Sequence, residues 1–127
     1  MLDRLKQVPG VLAVLPTGSR VICNPPTHHT DEDFVVFVDK TLYNLATDQF
    51  KLMGFTSDSE AGYEDGEEVT FESFHDDEDY NLIVVWDTDM YRRWVLATKV
   101  ATTLNLLHKG DRILLFKAFL YDEEPLL

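Results

Sequence analysis

Two stretches decide the fold: Val11-Leu12-Ala13-Val14-Leu15, running through Thr17 into Gly18-Ser19, and Thr30-Asp31-Glu32-Asp33 opening onto Phe34-Val35-Val36-Phe37-Val38. The second apolar run is continuous and largely β-branched, the pattern of a central strand covered on both faces. The first reads as a buried strand that ends in a turn, because Gly relaxes the backbone and Ser favours local hydrogen bonding. Between them, residues 20–30 read as loop, since Pro25-Pro26 denies the segment a long helix. Alternate residues of a strand point the same way about 6.6 Å apart, so Asp31 and Asp33 are expected to face one site. Two such carboxylates repel unless a cation lies between them, and a hard ion such as magnesium takes oxygen ligands together with substrate phosphates.

Outward from this centre the chain alternates element types. Residues 2–8 read as a short helix stopped by Pro9-Gly10, and residues 40–53 as an amphipathic helix carrying Leu42, Leu45, Ala46, Gln49, Phe50 and Met53, ending at Gly54. Val69 to Phe74 and Tyr80 to Trp86 read as strands joined by an acidic hairpin. A long helix capped by Asp87 or Thr88 should bury Tyr91, Trp94, Val95, Thr98, Ala101 and Leu104. Lys109-Gly110-Asp111-Arg112 reads as a turn into a last helix, Ile113 to Tyr121, apolar nearly all round and so expected to be buried on more than one side. The expected class is α+β, a central mixed sheet flanked by helices in a single domain spanning 1–127, with an acidic loop or hairpin at about 57–79 and a helical pair at about 88–121.

Composition narrows the function. The chain has 127 residues and a net charge of -12, which argues against broad nucleic-acid binding, because that runs on clustered Lys and Arg. The acid concentrates between Asp58 and Asp79, where no Lys or Arg occurs. That segment reads either as a solvated loop and hairpin or as a surface that docks on a host or partner protein with a basic face or mimics a polyanion. No apolar stretch reaches the roughly 20 residues needed to span a bilayer, and the Met1-Leu2-Asp3-Arg4 start lacks a signal peptide's apolar core, so a cytoplasmic protein with no membrane association is expected. The lone Cys23 excludes an internal disulfide and a cysteine-based zinc site. His28 and His29 read as solvated loop residues. Arg92, Arg93, Lys109 and Arg112 are the basic candidates for contacting phosphate, with pairing to nearby acids as the alternative.

The order of strand, Gly18-Ser19, eleven residues from Arg20 to Thr30, then Asp31-x-Asp33 before an apolar strand resembles the DNA polymerase beta-like nucleotidyltransferase superfamily. The whole chain is similar to small proteins of that fold found in tailed-phage genomes, which would place it in a host cytoplasm. The resemblance implies a nucleoside triphosphate at Gly18 and Ser19, magnesium at Asp31 and Asp33, and nucleotidyl transfer to an acceptor hydroxyl; Arg20, beside the turn, reads equally as a nucleotide-binding phosphate clamp or as a partner of the acidic surface. It also implies a third carboxylate from a later central strand. The matching strand here is Asp79-Tyr80-Asn81-Leu82-Ile83-Val84-Val85, so Asn81 takes the third catalytic place. An amide cannot accept the acceptor's proton as a general base does. Asp79 would serve as the third metal ligand if the strand were shifted or bulged. The alternatives are a catalytically inactive protein of the same fold that modulates a partner through its acidic surface, and a nucleotide sensor without transfer.

Overall fold

A computed structural model of the chain describes residues 1–24, 31–58, 71–77 and 79–121. Its centre is a pair of parallel strands, β2 (Glu32–Val38) and the later β5 (Tyr80–Val85), in register from Glu32 opposite Tyr80 to Phe37 opposite Val85. These are the chain's two most apolar runs, and each is covered on both faces, as parallel strands require. On one side β1 (Val11–Thr17) pairs antiparallel with β2; on the other, β4 (Glu72–His75) pairs antiparallel with β5, and the two-residue β3 (Thr56–Ser57) edges β4. The mixed five-stranded order is β1-β2-β5-β4-β3.

The sequence dictates which side chains each face receives. Phe34, Val36 and Val38 alternate with Asp33, Val35 and Phe37, and Leu82 and Val84 alternate with Asn81, Ile83 and Val85. Phe34, Val36, Val38, Leu82 and Val84 pack against α1 (Leu2–Lys6) and α3 (Tyr43–Leu52), with Leu5, Ala46 and Phe50 at the interface. Val35 and Val85 pack instead with Trp94, Ala97 and Ala101 of α4 (Thr88–Leu104) and Phe116 and Leu120 of α5 (Lys109–Tyr121). A register shift between Val11 and Ala13 lets β1 put Val11 and Val14 on the first face while Leu15 turns to the second.

Helix ends follow local chemistry. Asp39 accepts a 2.8 Å bond from the Thr41 amide and starts the 3-10 turn Lys40–Leu42 that leads into α3. After Leu52 the chain leaves the helix through Met53 and Gly54, whose φ of 103° is a left-handed value suited to glycine. Asp87 caps α4, and α4 ends on Asn105 at φ 50°. The Asn105 side chain accepts from the Asn24 amide at 2.8 Å and donates to its carbonyl at 3.1 Å, tying the α4-α5 corner to the segment after Gly18-Ser19.

Several sequence expectations shift. Residues 19–22 form one helical turn, α2 (Ser19–Ile22), where loop was expected; Pro25 stands only three residues beyond it. The buried stripe of α4 is Met90, Trp94, Ala97, Thr98 and Ala101, and Leu104 is exposed, because two alanines let the helix approach the sheet along a different line. The final helix begins at Lys109 and not Ile113. It buries Phe116 and Leu120 but leaves Leu114 two-thirds exposed, since it leans on α4 with one side only. The β4-β5 hairpin forms through Asp76, while Val69, Thr70, His28, His29 and most of the acidic segment lie outside the described residues.

Candidate functional site

On the face shared with α4 and α5, the three strands β1, β2 and β5 pair row by row: Ala13, Phe37 and Val85; then Leu15, Val35 and Ile83; then Thr17, Asp33 and Asn81. The first two rows are apolar and the third is polar. This change in side-chain chemistry at one end of the sheet opens a pocket of about 530 Å³, within the range of ligand sites. Thr17, Gly18, Ser19, Asp31, Asp33 and Asn81 line one side. The floor is apolar, built from Ile22, Ile83, Trp94, Ile113 and Phe116, and Lys109 and Arg112 stand on the first turns of α5.

The hydrogen bonds within the site are specific. Asn81 Nδ2 donates to Asp31 Oδ2 at 3.1 Å and to Asp33 Oδ1 at 3.0 Å. One amide nitrogen therefore bridges the two carboxylates, and both of its protons are used. Thr17 is buried, and its hydroxyl lies 2.7 Å from that of Thr98. The Thr98 hydroxyl gives its proton to the Trp94 carbonyl at 2.9 Å, so Thr17 must be the donor between them.

Gly18 has a reason beyond turn formation. Its φ is 81°, and a Cβ built there would stand 2.0 Å from Asp33 Oδ2. Glycine admits the Asp33 carboxylate against the backbone of the turn, and any side chain would expel it.

Asp33 is held above the ordinary carboxylate range, first by burial, with Asp31's charge adding to the effect; the Asn81 bond and Arg112's positive charge oppose it. A half-buried anion beside a second anion is the setting that a divalent cation relieves, and two carboxylates are hard oxygen donors of the kind magnesium takes. The fit is to a sparse site: among the described residues no three His, Cys, Asp or Glu side chains group as metal ligands.

Asp31, Asp33 and Asn81 thus meet beside Gly18 and Ser19, and Ser19 is nearly buried in the pocket wall. Two other expected residues do not join them. Asp79 lies outside the lining; its carbonyl accepts from the Glu32 amide at 2.7 Å, and the unbulged register that sets Asn81 opposite Asp33 supplies no shift to bring Asp79 forward. Arg20 takes the second of its two expected roles: it pairs with the acidic Glu32, 3.2 Å away, and does not line the pocket.

The basic candidates separate in the same way. Arg92 and Arg93 bond Asp89 at 2.9 and 2.8 Å, and Arg93 also reaches the Phe119 carbonyl at 2.9 Å. The spacing from Asp89 to Arg92 and Arg93 is three and four residues, a readable sign of pairing along one helix face. Lys109 and Arg112 are the cations at the site. Arg112 Nη1 is anchored on the Leu106 carbonyl at 2.9 Å, the Leu107 carbonyl at 2.8 Å and Cys23 Sγ at 3.3 Å. Trp94 fills the interface under the pocket, 5.1 Å centroid to centroid from Phe116, and Tyr91 stacks on Phe37 at the same separation.

No protein-family model matches the chain, and no curated protein matches it at a significant level. Among solved structures, conserved protein GrpB from Enterococcus faecalis is similar over 94% of this chain and 87% of its own, with a TM-score of 0.61 at 16% identity. At that identity the likeness speaks for fold alone. The α+β arrangement described above, a five-stranded mixed sheet flanked by helices, is consistent with a nucleotidyltransferase-like fold, and a shared fold carries no activity with it.

Proposed function

We propose that the chain binds a nucleoside triphosphate as its magnesium complex in the pocket between Gly18-Ser19 and α5, and transfers the nucleotidyl group to an acceptor hydroxyl. The observation that carries this reading is the meeting of Asp31, Asp33 and Asn81 beside the Gly18-Ser19 turn, at the polar end of an otherwise apolar sheet face. In the transfer, the acceptor oxygen bonds to the α-phosphorus, the bond from that phosphorus to the bridging oxygen breaks, and pyrophosphate leaves. Magnesium, when bound, offsets charge on the phosphates and fixes their geometry.

The chain's own residues divide the remaining work. Asp31 and Asp33 would hold the ion. Ser19 offers a hydroxyl to a phosphate oxygen, and the backbone at Gly18 allows close approach. Lys109 and Arg112 face the anion from α5, and anchoring of the Arg112 guanidinium on two carbonyls fixes its charge before the substrate arrives. The floor of Ile113 and Phe116 suits the apolar faces of a base or sugar. Asn81 holds no proton-accepting oxygen pair, so the hydroxyl proton passes to water. The acceptor is a protein side chain, an RNA end or a small molecule.

Calorimetry with each nucleoside triphosphate and magnesium, followed by incubation with α-labelled and γ-labelled nucleotide plus candidate acceptors, tests this. Binding that is lost in Asp31→Asn and Asp33→Asn, with transfer of the α label but not the γ label, is the expected result. No nucleotide binding by the unaltered protein overturns it.

One observation favours a second reading: Asn81 stands where a proton-accepting carboxylate would assist transfer, in a chain of net charge -12. On that reading the domain is catalytically silent and binds a host or partner protein with a basic surface. Neutralising Asp76, Asp77 and Glu78 would then abolish function while Asp31→Asn and Asp33→Asn leave it intact.

A further inference from the structure

We infer that Asn81, with Lys109 and Arg112, makes this a site for a single divalent cation: the amide nitrogen occupies the bridge between the two carboxylates, and the α5 cations take the electrostatic place of a second ion. The inference rests on the nucleotide reading above and specifies its metal requirement.

Geometry supplies the first half. Asn81 Nδ2 stands 3.1 Å from Asp31 Oδ2 and 3.0 Å from Asp33 Oδ1. An amide nitrogen donates protons and offers no lone pair to a metal, so this position between the carboxylates is closed to a cation while the bonds last. Outside the bridge each carboxylate keeps one oxygen, Asp31 Oδ1 and Asp33 Oδ2, and Asp33 Oδ2 lies against the Gly18 turn, so the pair offers at most one ion a place, its other ligands coming from phosphate and water. The strands admit no substitute ligand by sliding, because β2 and β5 pair without a bulge and Asp79 lies outside the lining.

Charge supplies the second half. Asp31 and Asp33 contribute two negative charges to the pocket, and Lys109 and Arg112 contribute two positive ones. One divalent ion arriving with a polyphosphate meets a wall already neutral on balance. A second would add two positive charges close to a guanidinium that three acceptors hold in place, with no further carboxylate among the described residues that line the pocket to compensate.

Manganese counting by electron paramagnetic resonance, with a non-hydrolysable nucleoside triphosphate at saturation, tests the inference. The protein is expected to bind one manganese ion per chain beyond that of free nucleotide controls. Asn81→Asp, which replaces the bridging donor with a third carboxylate, is expected to bind two. Asn81→Ser keeps the two-carboxylate charge and is expected to bind one, at least threefold more weakly, because the carboxylates lose their brace. Circular dichroism establishes whether each variant folds; if Asn81→Asp does not, the counts for the unaltered protein and Asn81→Ser decide. Any count other than one for the unaltered protein, or a folded Asn81→Asp that still binds one, overturns the inference. Nucleotide binding is measured separately by calorimetry, so a wrong metal count with nucleotide bound defeats this inference alone, whereas no nucleotide binding at all defeats the reading beneath it.

Discussion

Asp33 and Phe34 are neighbours in β2, and Asn81 and Leu82 are neighbours in β5, yet each pair divides between two unlike regions. Phe34, Leu82 and Phe74 form a cross-strand row on the α1/α3 face, and all three are buried. One residue earlier on each central strand, Thr17, Asp33 and Asn81 form the row on the α4/α5 face. The first face is thus apolar and buried in the row beside the site, while the other gives up its last apolar row to Thr17, Asp33 and Asn81. Because side chains alternate with a period of two, the core and the pocket are built from the same backbone, and the packing of one face holds the carboxylates of the other in register.

The strongest way to break the comparison is to damage the closed face. Leu82→Ala removes a side chain with no exposed surface from the row beneath Asn81. It should cost roughly 2–5 kcal/mol by chemical denaturation, the range for such truncations. If the faces share only a backbone, the folded fraction of the variant should still bind magnesium-nucleotide within about threefold of the unaltered affinity. A larger loss in the folded fraction would mean that the core sets the carboxylate geometry directly.

Gly18→Ala tests the open face with a smaller effect. The new Cβ meets Asp33 Oδ2, and φ at that position is left-handed. The expected cost is about 2 kcal/mol, read as a lower denaturation midpoint, with nucleotide binding lost because Asp33 must leave its place. Pairing the change with Asp33→Ala separates the two causes. If contact dominates, the double variant should recover most of the stability; if backbone strain dominates, the two losses should simply add.

The legible parts of this molecule are those in which a local pattern carries its own geometry. The continuous runs at residues 34–38 and 82–85 mark the two central strands, and a two-residue spacing puts Asp31 and Asp33 on one side. Gly18-Ser19 marks the turn they face. Long-range geometry was not legible. Lys109-Gly110-Asp111-Arg112 carries a glycine and reads as a turn, but glycine's helix penalty of about 1 kcal/mol is small against the packing of Phe116 and Leu120 on α4. Those four residues accordingly join α5 and place Lys109 and Arg112 at the pocket. The anchoring of Arg112 on Cys23 links positions 89 residues apart, which no periodicity reports. Arg92 and Arg93 were the reverse case: Asp89 lay within one helical turn, and their pairing was readable from spacing alone.

The smallest effect expected has the opposite sign. Asp33 is largely buried, and in the folded protein its proton is held more tightly than the ordinary value of 3.8. A carboxyl group with a raised folded value costs stability while it is ionised, and that cost falls as pH drops through the folded value toward the unfolded one. Asp33→Asn removes the charge but keeps an oxygen that can accept from Asn81. The variant should therefore be more stable than the unaltered protein at pH 7, read as a higher Tm. The advantage should shrink on acidification and vanish below pH 3.8, where the group is protonated in both states. Magnesium with nucleotide should reverse the order at pH 7, because ligand binding stabilises only the protein that retains both carboxylates. Thermal unfolding of the two proteins between pH 7 and pH 3.5, with and without magnesium-nucleotide, reads both effects. An Asp33→Asn variant less stable at pH 7 without ligand would show that the carboxylate serves the fold as well as the pocket, and the two faces would then differ less than their side chains suggest.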